Sequence, residues 1–164
     1  MEGSLHVLAT LPVGPVTYQL RRASAAELEA VVELLAADQL GVTRESTTDL
    51  APYRTAFAAI DADPAHLLLV ATTGDEVVAT MQLTFIPGLA RRGALRAQIE
   101  AVRVHERHRS NGLGGEMIRW AIDEARRRGC ALVQLTTDKQ RSDAHRFYQR
   151  LGFTASHEGL KLAL

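Results

Sequence analysis

Apolar and polar positions along this chain change period several times, and each change predicts an element. Val16 to Arg22 alternates weakly and includes Val16, Thr17 and Tyr18, which predicts a first strand. Ser24 with Glu27 three residues later forms a capping-box pattern. Leu28, Val31, Val32, Leu34 and Leu35 then recur at helical spacing up to about Asp38, and Gly41 stops the helix. Thr48 or Asp49 starts a second helix with Tyr53, Phe57 and Ile60 facing inward, ended before Pro64. The continuous run Leu67 to Ala71, the Gly74-Asp75 turn and a second run from Val77 to Ile86 predict an antiparallel hairpin. Another strand is expected from Leu95 to Val104. Leu113, Met117, Ala121, Ile122 and Ala125 then line one side of a helix from about Gly112 to Arg128, with Asp123 facing Arg127 and Glu124 facing Arg128 on its wet side. Ala131 to Thr137 reads as a short apolar strand, Ser142 to Arg150 as a helix ended by Gly152, and Phe153 to Leu164 as one or two final strands.

The resulting order, β-α-α-β-β-β-α-β-α-β(-β), predicts an α/β (α+β) mixed sheet with helices on both faces. The unit from Leu95 to Thr137 should be a right-handed crossover joining parallel strands. Where those strands splay, a cleft opens at their carboxyl ends, the place ligands prefer in such sheets. Residues 1–15 read as an N-terminal leader or extra strand, and residues 16–164 as one domain.

Composition narrows the function classes. The 164 residues carry 19 Lys+Arg and 19 Asp+Glu, a formal net charge of +0, which argues against nucleic acid or an anionic membrane as the main partner. Cys130 is the single cysteine, so no intrachain disulfide or cysteine-based zinc site is expected. It precedes an apolar strand and reads as a buried, inert thiol. No apolar run approaches the ~20 residues of a membrane-spanning helix. The first residues lack a secretory pattern, so a cytoplasmic location is the expectation.

The chemistry concentrates in Val102 to Gly115. This stretch reads as a strand end, a short basic turn with Arg107, His108 and Arg109, and the glycine-rich start of a long helix. Backbone N–H groups at the positive end of a helix dipole suit a phosphate, and a diphosphate fits best. Gly-Lys-Ser/Thr does not follow the turn, and the spacing is not Gly-x-Gly-x-x-Gly, so neither a P-loop nor a Rossmann fingerprint is present. His105-x-x-His108 lacks a third ligand and predicts no metal site.

Val102-Arg103-Val104, four residues, then Arg109-x-x-Gly112-x-Gly114 resembles the acyl-CoA-binding signature of the GNAT superfamily of N-acyltransferases. Ala144-His145-Arg146-Phe147-Tyr148-Gln149-Arg150-Leu151-Gly152-Phe153 resembles that family's second motif, and the element order matches from about Val16 to Leu164. The resemblance implies a single-domain GNAT-like fold with a splayed parallel strand pair, and acetyl-CoA as co-substrate. It implies that turn amides at Arg109, Ser110, Asn111, Gly112, Leu113, Gly114 and Gly115 hold the pyrophosphate. Val102, Arg103 and Val104 would pair with the pantetheine arm, and a strand N–H would serve as oxyanion donor. Tyr148 matches the position near the sulfur, where its phenol could protonate the departing thiolate; its spacing with Phe147 and Leu151 also suits plain packing. Arg141 stands where the family commonly has asparagine. It cannot accept a hydrogen bond, so its expected contact shifts to a phosphate.

On the acceptor side, Arg96, Gln98 and Glu100 share one face of their strand by alternation. Glu100 is the candidate general base, taking a proton from an ammonium; its plain alternative is a pair with Arg96 or Arg103. His105 and His108 compete for that role but read as solvated turn residues. Asp38, Gln39, Thr43, Arg44 and Glu45 after the first helix, and Arg91 with Arg92, supply loop charges that select no substrate. The expected reaction is acetyl transfer to a primary amine by direct attack in a ternary complex. The alternatives are a non-catalytic CoA-binding or regulatory module and, more remotely, a nucleic-acid binder using Arg126-Arg127-Arg128. A homodimer through an edge strand or a late hairpin is compatible with this plan.

Overall fold

The computed structural model describes residues 6–164. Its six strands lie in sequence order across one sheet: β1 (Val7–Val13), β2 (Val16–Arg22), β3 (His66–Thr73), β4 (Glu76–Ile86), β5 (Arg96–Val104) and β6 (Leu132–Leu135). All neighbours are antiparallel except β5 and β6, which are parallel. The helices are α1 (Leu28–Ala36), α2 (Gly41–Arg44), α3 (Ala51–Ala62), α4 (Ala90–Gly93), α5 (Leu113–Arg127) and α6 (Ser142–Arg150). None is long and apolar enough to cross a membrane.

Within the leader region, Val7–Val13 forms an edge strand paired to β2, and its Leu11 and Val13 enter the core. Residues 1–5 of that region lie outside the described residues. The capping box at Ser24 forms as the sequence predicts. The Ser24 N–H donates to Glu27 Oε2 at 2.8 Å, and Arg21 grips the same carboxylate with both terminal nitrogens. Burial works to raise the Glu27 pKa, but these bonds hold it below the usual carboxylate range.

The main core lies between the sheet and α5. Tyr18, Leu20, Leu69, Met81, Leu83 and Ile99 meet Leu113, Met117, Ile118 and Ala121 there. A smaller cluster on Ala23, Val31 and Val70 takes in Phe57 of α3. Helices thus cover both faces, as expected.

Two expectations are corrected. The tail after α6 forms no strand, and Leu160, Leu162 and Leu164 stand exposed. Their alternation satisfies the strand pattern, but no neighbour among the described residues supplies a ladder partner, so the late hairpin does not form there. On α5, Asp123 pairs with Arg126 rather than Arg127. Glu124 is buried and accepts from both Arg127 and Arg128.

Candidate functional site

Two irregularities in β5 open a cleft. β5 pairs with β6 only from Arg96 to Ile99 against Leu132 to Leu135, and beyond Ile99 the strands part. At that point β5 also bulges. Thr80 opposes Arg103 and Gln82 opposes Glu100, so Ala101 and Val102 together face the single residue Met81. Ala101 makes the bulge with a φ of 54°. Regular alternation would put Glu100 and Arg103 on opposite faces. Their partners Thr80 and Gln82 are two apart and share a face, so Glu100 and Arg103 do too. Val102 and Val104 are thereby turned back to the core beneath α5.

The cleft has a volume of about 600 Å³. Its lining brings together Glu100, Val102, Arg103, Val104, Arg109, Ser110, Gly112, Gly114, Gly115, Arg141 and Tyr148. Asn111 and Leu113 are not among the lining residues. Leu113 is fully buried, and its N–H donates to Asn111 Oδ1 at 3.0 Å. The Arg109 N–H is also engaged, at 3.3 Å from the Glu106 carbonyl. The expected row of seven donors therefore shortens. Ser110, Asn111, Gly112, Gly114 and Gly115 keep N–H groups that bond to no described residue.

These amides sit where the chain enters the 15-residue helix α5, with Ser110 and Gly112 at positive φ (61° and 105°). Free donors, the helix dipole and the adjacent Arg109 side chain fit a diphosphate. A Cβ at Gly114 would meet Phe147 Cζ at 3.6 Å and Val104 Cγ2 at 3.7 Å, filling space at the cleft wall.

A buried tyrosine fixes the turn from below. Tyr18 on β2 is fully buried; its hydroxyl lies 2.8 Å from His108 Nδ1 and accepts from Asn111 Nδ2 at 2.9 Å. Asn111 in turn caps Leu113. His108 is thus tied into the fold while also lining the cleft, and no local pattern marks this link across 90 positions.

The two candidate catalytic groups line the same cleft. Burial raises the Tyr148 phenol above its ordinary pKa, with Arg141 and Arg103 opposing. Its ring packs edge-on against Phe147 and Phe153, at 5.0 and 5.8 Å between centroids, so the packing role exists beside the site position. Glu100 is exposed. It accepts from Gln98 at 3.0 Å, and Gln98 accepts from Gln134 on β6 at 2.8 Å. The plain alternative, an ion pair with Arg96 or Arg103, does not form.

Arg103 instead meets Asp38, from the loop after α1, with Nε 3.0 Å from Oδ2. Arg141 lies 3.6 Å from the same oxygen, which is where its side chain is turned. Burial lowers the Arg103 pKa; Asp38 opposes that and Arg141 adds to it. Of the other loop charges, Glu45 is occupied by the Tyr53 hydroxyl at 2.6 Å, and Arg91 and Arg92 are exposed outside the cleft lining.

Comparison with known proteins agrees with this geometry. The family model described as Acetyltransferase (GNAT) family matches residues 28–153. The chain is 30% identical over 139 residues to the aminoalkylphosphonate N-acetyltransferase of Salmonella typhimurium, covering 85% of this chain and 86% of that protein. It is 47% identical to a transcriptional regulator from Bacillus halodurans C-125 of known crystal structure, with a TM-score of 0.86 over 90% of this chain and 99% of that one. An acetyltransferase from Trypanosoma brucei matches at 25% identity and a TM-score of 0.70, covering 90% and 99% of the two chains. With the family model covering most of the chain and a relative 30% identical over 85% of it, this chain is a member of the GNAT acetyltransferase family.

Proposed function

We propose that this protein transfers an acetyl group from acetyl-CoA to a primary amine by direct attack in a ternary complex. The observation that carries the reading is the set of unengaged N–H groups at Ser110, Gly112, Gly114 and Gly115, residues that line the same cleft as Glu100 and Tyr148. The amides of Ser110, Asn111, Gly112, Gly114 and Gly115 would hold the diphosphate, with Arg109 beside them. The β5 backbone from Val102 to Val104 would align the pantetheine arm. Acetyl-CoA supplies the activated acetyl group.

The chain's own residues do the rest. An N–H freed at the Ala101 bulge would face the thioester oxygen; one such donor is typically worth ~10²–10³-fold in rate. Glu100 would take the proton from the incoming ammonium, whose lysine-like pKa is ~10.4. Tyr148, kept protonated by burial, would donate to the departing sulfur. Direct attack is favoured because no thiol lines the cleft, and burial pushes the Cys130 thiol up. Amine acetylation also agrees with the name of the Salmonella typhimurium relative.

A second reading, a CoA-binding regulatory module without turnover, draws on the name of the Bacillus halodurans relative. One assay separates the two. Free thiol released from acetyl-CoA is followed with a panel of primary amines, alongside calorimetric titration with CoA. Amine-dependent release supports the enzyme. Binding without release across the panel supports the module, and no binding overturns both.

A further inference from the structure

Arg103 and Arg141 line the cleft and share one carboxylate at contact distance, while Glu45 acts on Arg103 only through space. Among the described residues, Asp38 alone is a carboxylate in contact with both Arg103 and Arg141. Its Oδ1 is already taken by the Gly41 N–H at 2.6 Å. Its Oδ2 lies 3.0 Å from Arg103 Nε, yet the two are not aligned for a hydrogen bond, and both atoms are buried without a partner among the described residues. Arg103 donates through Nη1 to the Val102 carbonyl at 2.9 Å, which leaves Nη2 uncommitted. The Arg141 side chain has no hydrogen bond to a described residue, and both arginines are among the residues that line the cleft.

A bare ammonium entering beside two guanidiniums would be repelled. Glu100, on the same face as Arg103, offers an amine its place. The remaining donors suit a different group. Guanidinium forks match planar or tetrahedral oxyanions and are strongest where water is excluded. A buried, poorly aligned ion pair is also costly to maintain unless something completes its hydrogen bonding.

We propose that the acceptor carries an anionic group as well as its amine, and that Arg103 and Arg141 hold that group while Glu100 faces the amine. Asp38 keeps the two guanidiniums in position when the anion is absent. This assignment rests on the acetyl-transfer reading for its reaction, but not for its binding chemistry. It also gives Arg141 a task on the acceptor rather than on the cofactor phosphate that the sequence suggests.

The test uses the full chain and three probes of similar size: 2-aminoethylphosphonate, β-alanine and propylamine. Thiol release gives kcat/KM for each, and calorimetry on the CoA-saturated protein gives binding of each without turnover. The two anionic amines should bind and react at least tenfold better than propylamine, and the first two probes rank phosphonate against carboxylate. R141Q should weaken the anionic probes by roughly 10- to 100-fold more than propylamine, with R141K recovering part of the loss. CoA affinity is measured on the same variants. If R141Q weakens CoA and depresses all three acceptors in parallel, Arg141 serves the cofactor and the proposal is overturned. Equal binding of propylamine and the anionic probes overturns it as well. Anion binding sensitive to R141Q but without turnover would uphold this inference and remove the acetyl-transfer reading instead.

Discussion

Replacing Gly112 by aspartate sets a negative charge at the proposed diphosphate cradle, and the structure separates that effect from simple damage. Gly112 has a φ of 105°, so any side chain there is strained, at a cost of about 1–2 kcal/mol. A Cβ would meet nothing nearer than Val13 Cγ1 at 3.5 Å, an ordinary contact, so the fold should persist. For a domain of this size each kcal/mol lowers Tm by about 2–4 °C, which puts the loss at roughly 2–8 °C. G112A carries the same strain without the charge. At about 5 Å from a phosphate, in a partly wet site, the added carboxylate opposes binding by roughly 1–3 kcal/mol per charge. G112D should therefore bind CoA on the order of 10²-fold more weakly than G112A. Calorimetric titration of both variants checks this, and raising the salt should narrow their difference because the charges become screened. Equal CoA affinity for G112D and G112A would refute the placement of the diphosphate on this turn.

Three further outcomes are expected. E100Q should lower kcat/KM by about 10²-fold or more, most at low pH where the amine is protonated, and a wild-type rate and pH profile would remove Glu100 from the reaction. Y148F should lower kcat by about 10²-fold with little change in CoA affinity. Because burial raises the phenol above its ordinary value, Tyr148 stays protonated across the neutral range, so that loss should be constant from about pH 6 to 9; a steep pH dependence there would contradict the donor role. E124Q should cost about 1–3 kcal/mol at pH 7, read as a lower Tm, by removing the charge and one of the two acceptor oxygens shared by Arg127 and Arg128. Burial opposes, but these arginines hold the Glu124 carboxyl below its usual range. Its stabilisation is therefore complete above the unfolded value of about 4.3 and fades as pH falls through the lowered folded value, so wild type and variant should converge below about pH 4. A gap that stays constant down to pH 3 would show that the ion pairs are not its source.

Local pattern alone determined much of this protein. The capping box at Ser24, the hairpin around Gly74 and the amphipathic face of α5 depend on neighbours a few positions apart, and each lies where periodicity puts it. The turn at Gly112 was equally legible, because a positive φ at a helix entry calls for glycine. Tertiary structure decided the rest. Nothing in Ala101 announces a bulge, since alanine has no preference for φ near 54°; the strand pairing with β4 imposes it, and with it the face on which Arg103 appears. Asp38, Arg103 and Arg141 come from three elements far apart in the chain, and Tyr18 reaches His108 and Asn111 from the middle of the sheet. The tail shows the reverse case, with alternating leucines that satisfy the strand rule and find no partner. Periodicity reports which way side chains point while backbone pairing stays regular. The cleft exists because pairing with β6 stops after Ile99 and the ladder to β4 is broken at Ala101, and only the packed sheet fixes where that happens.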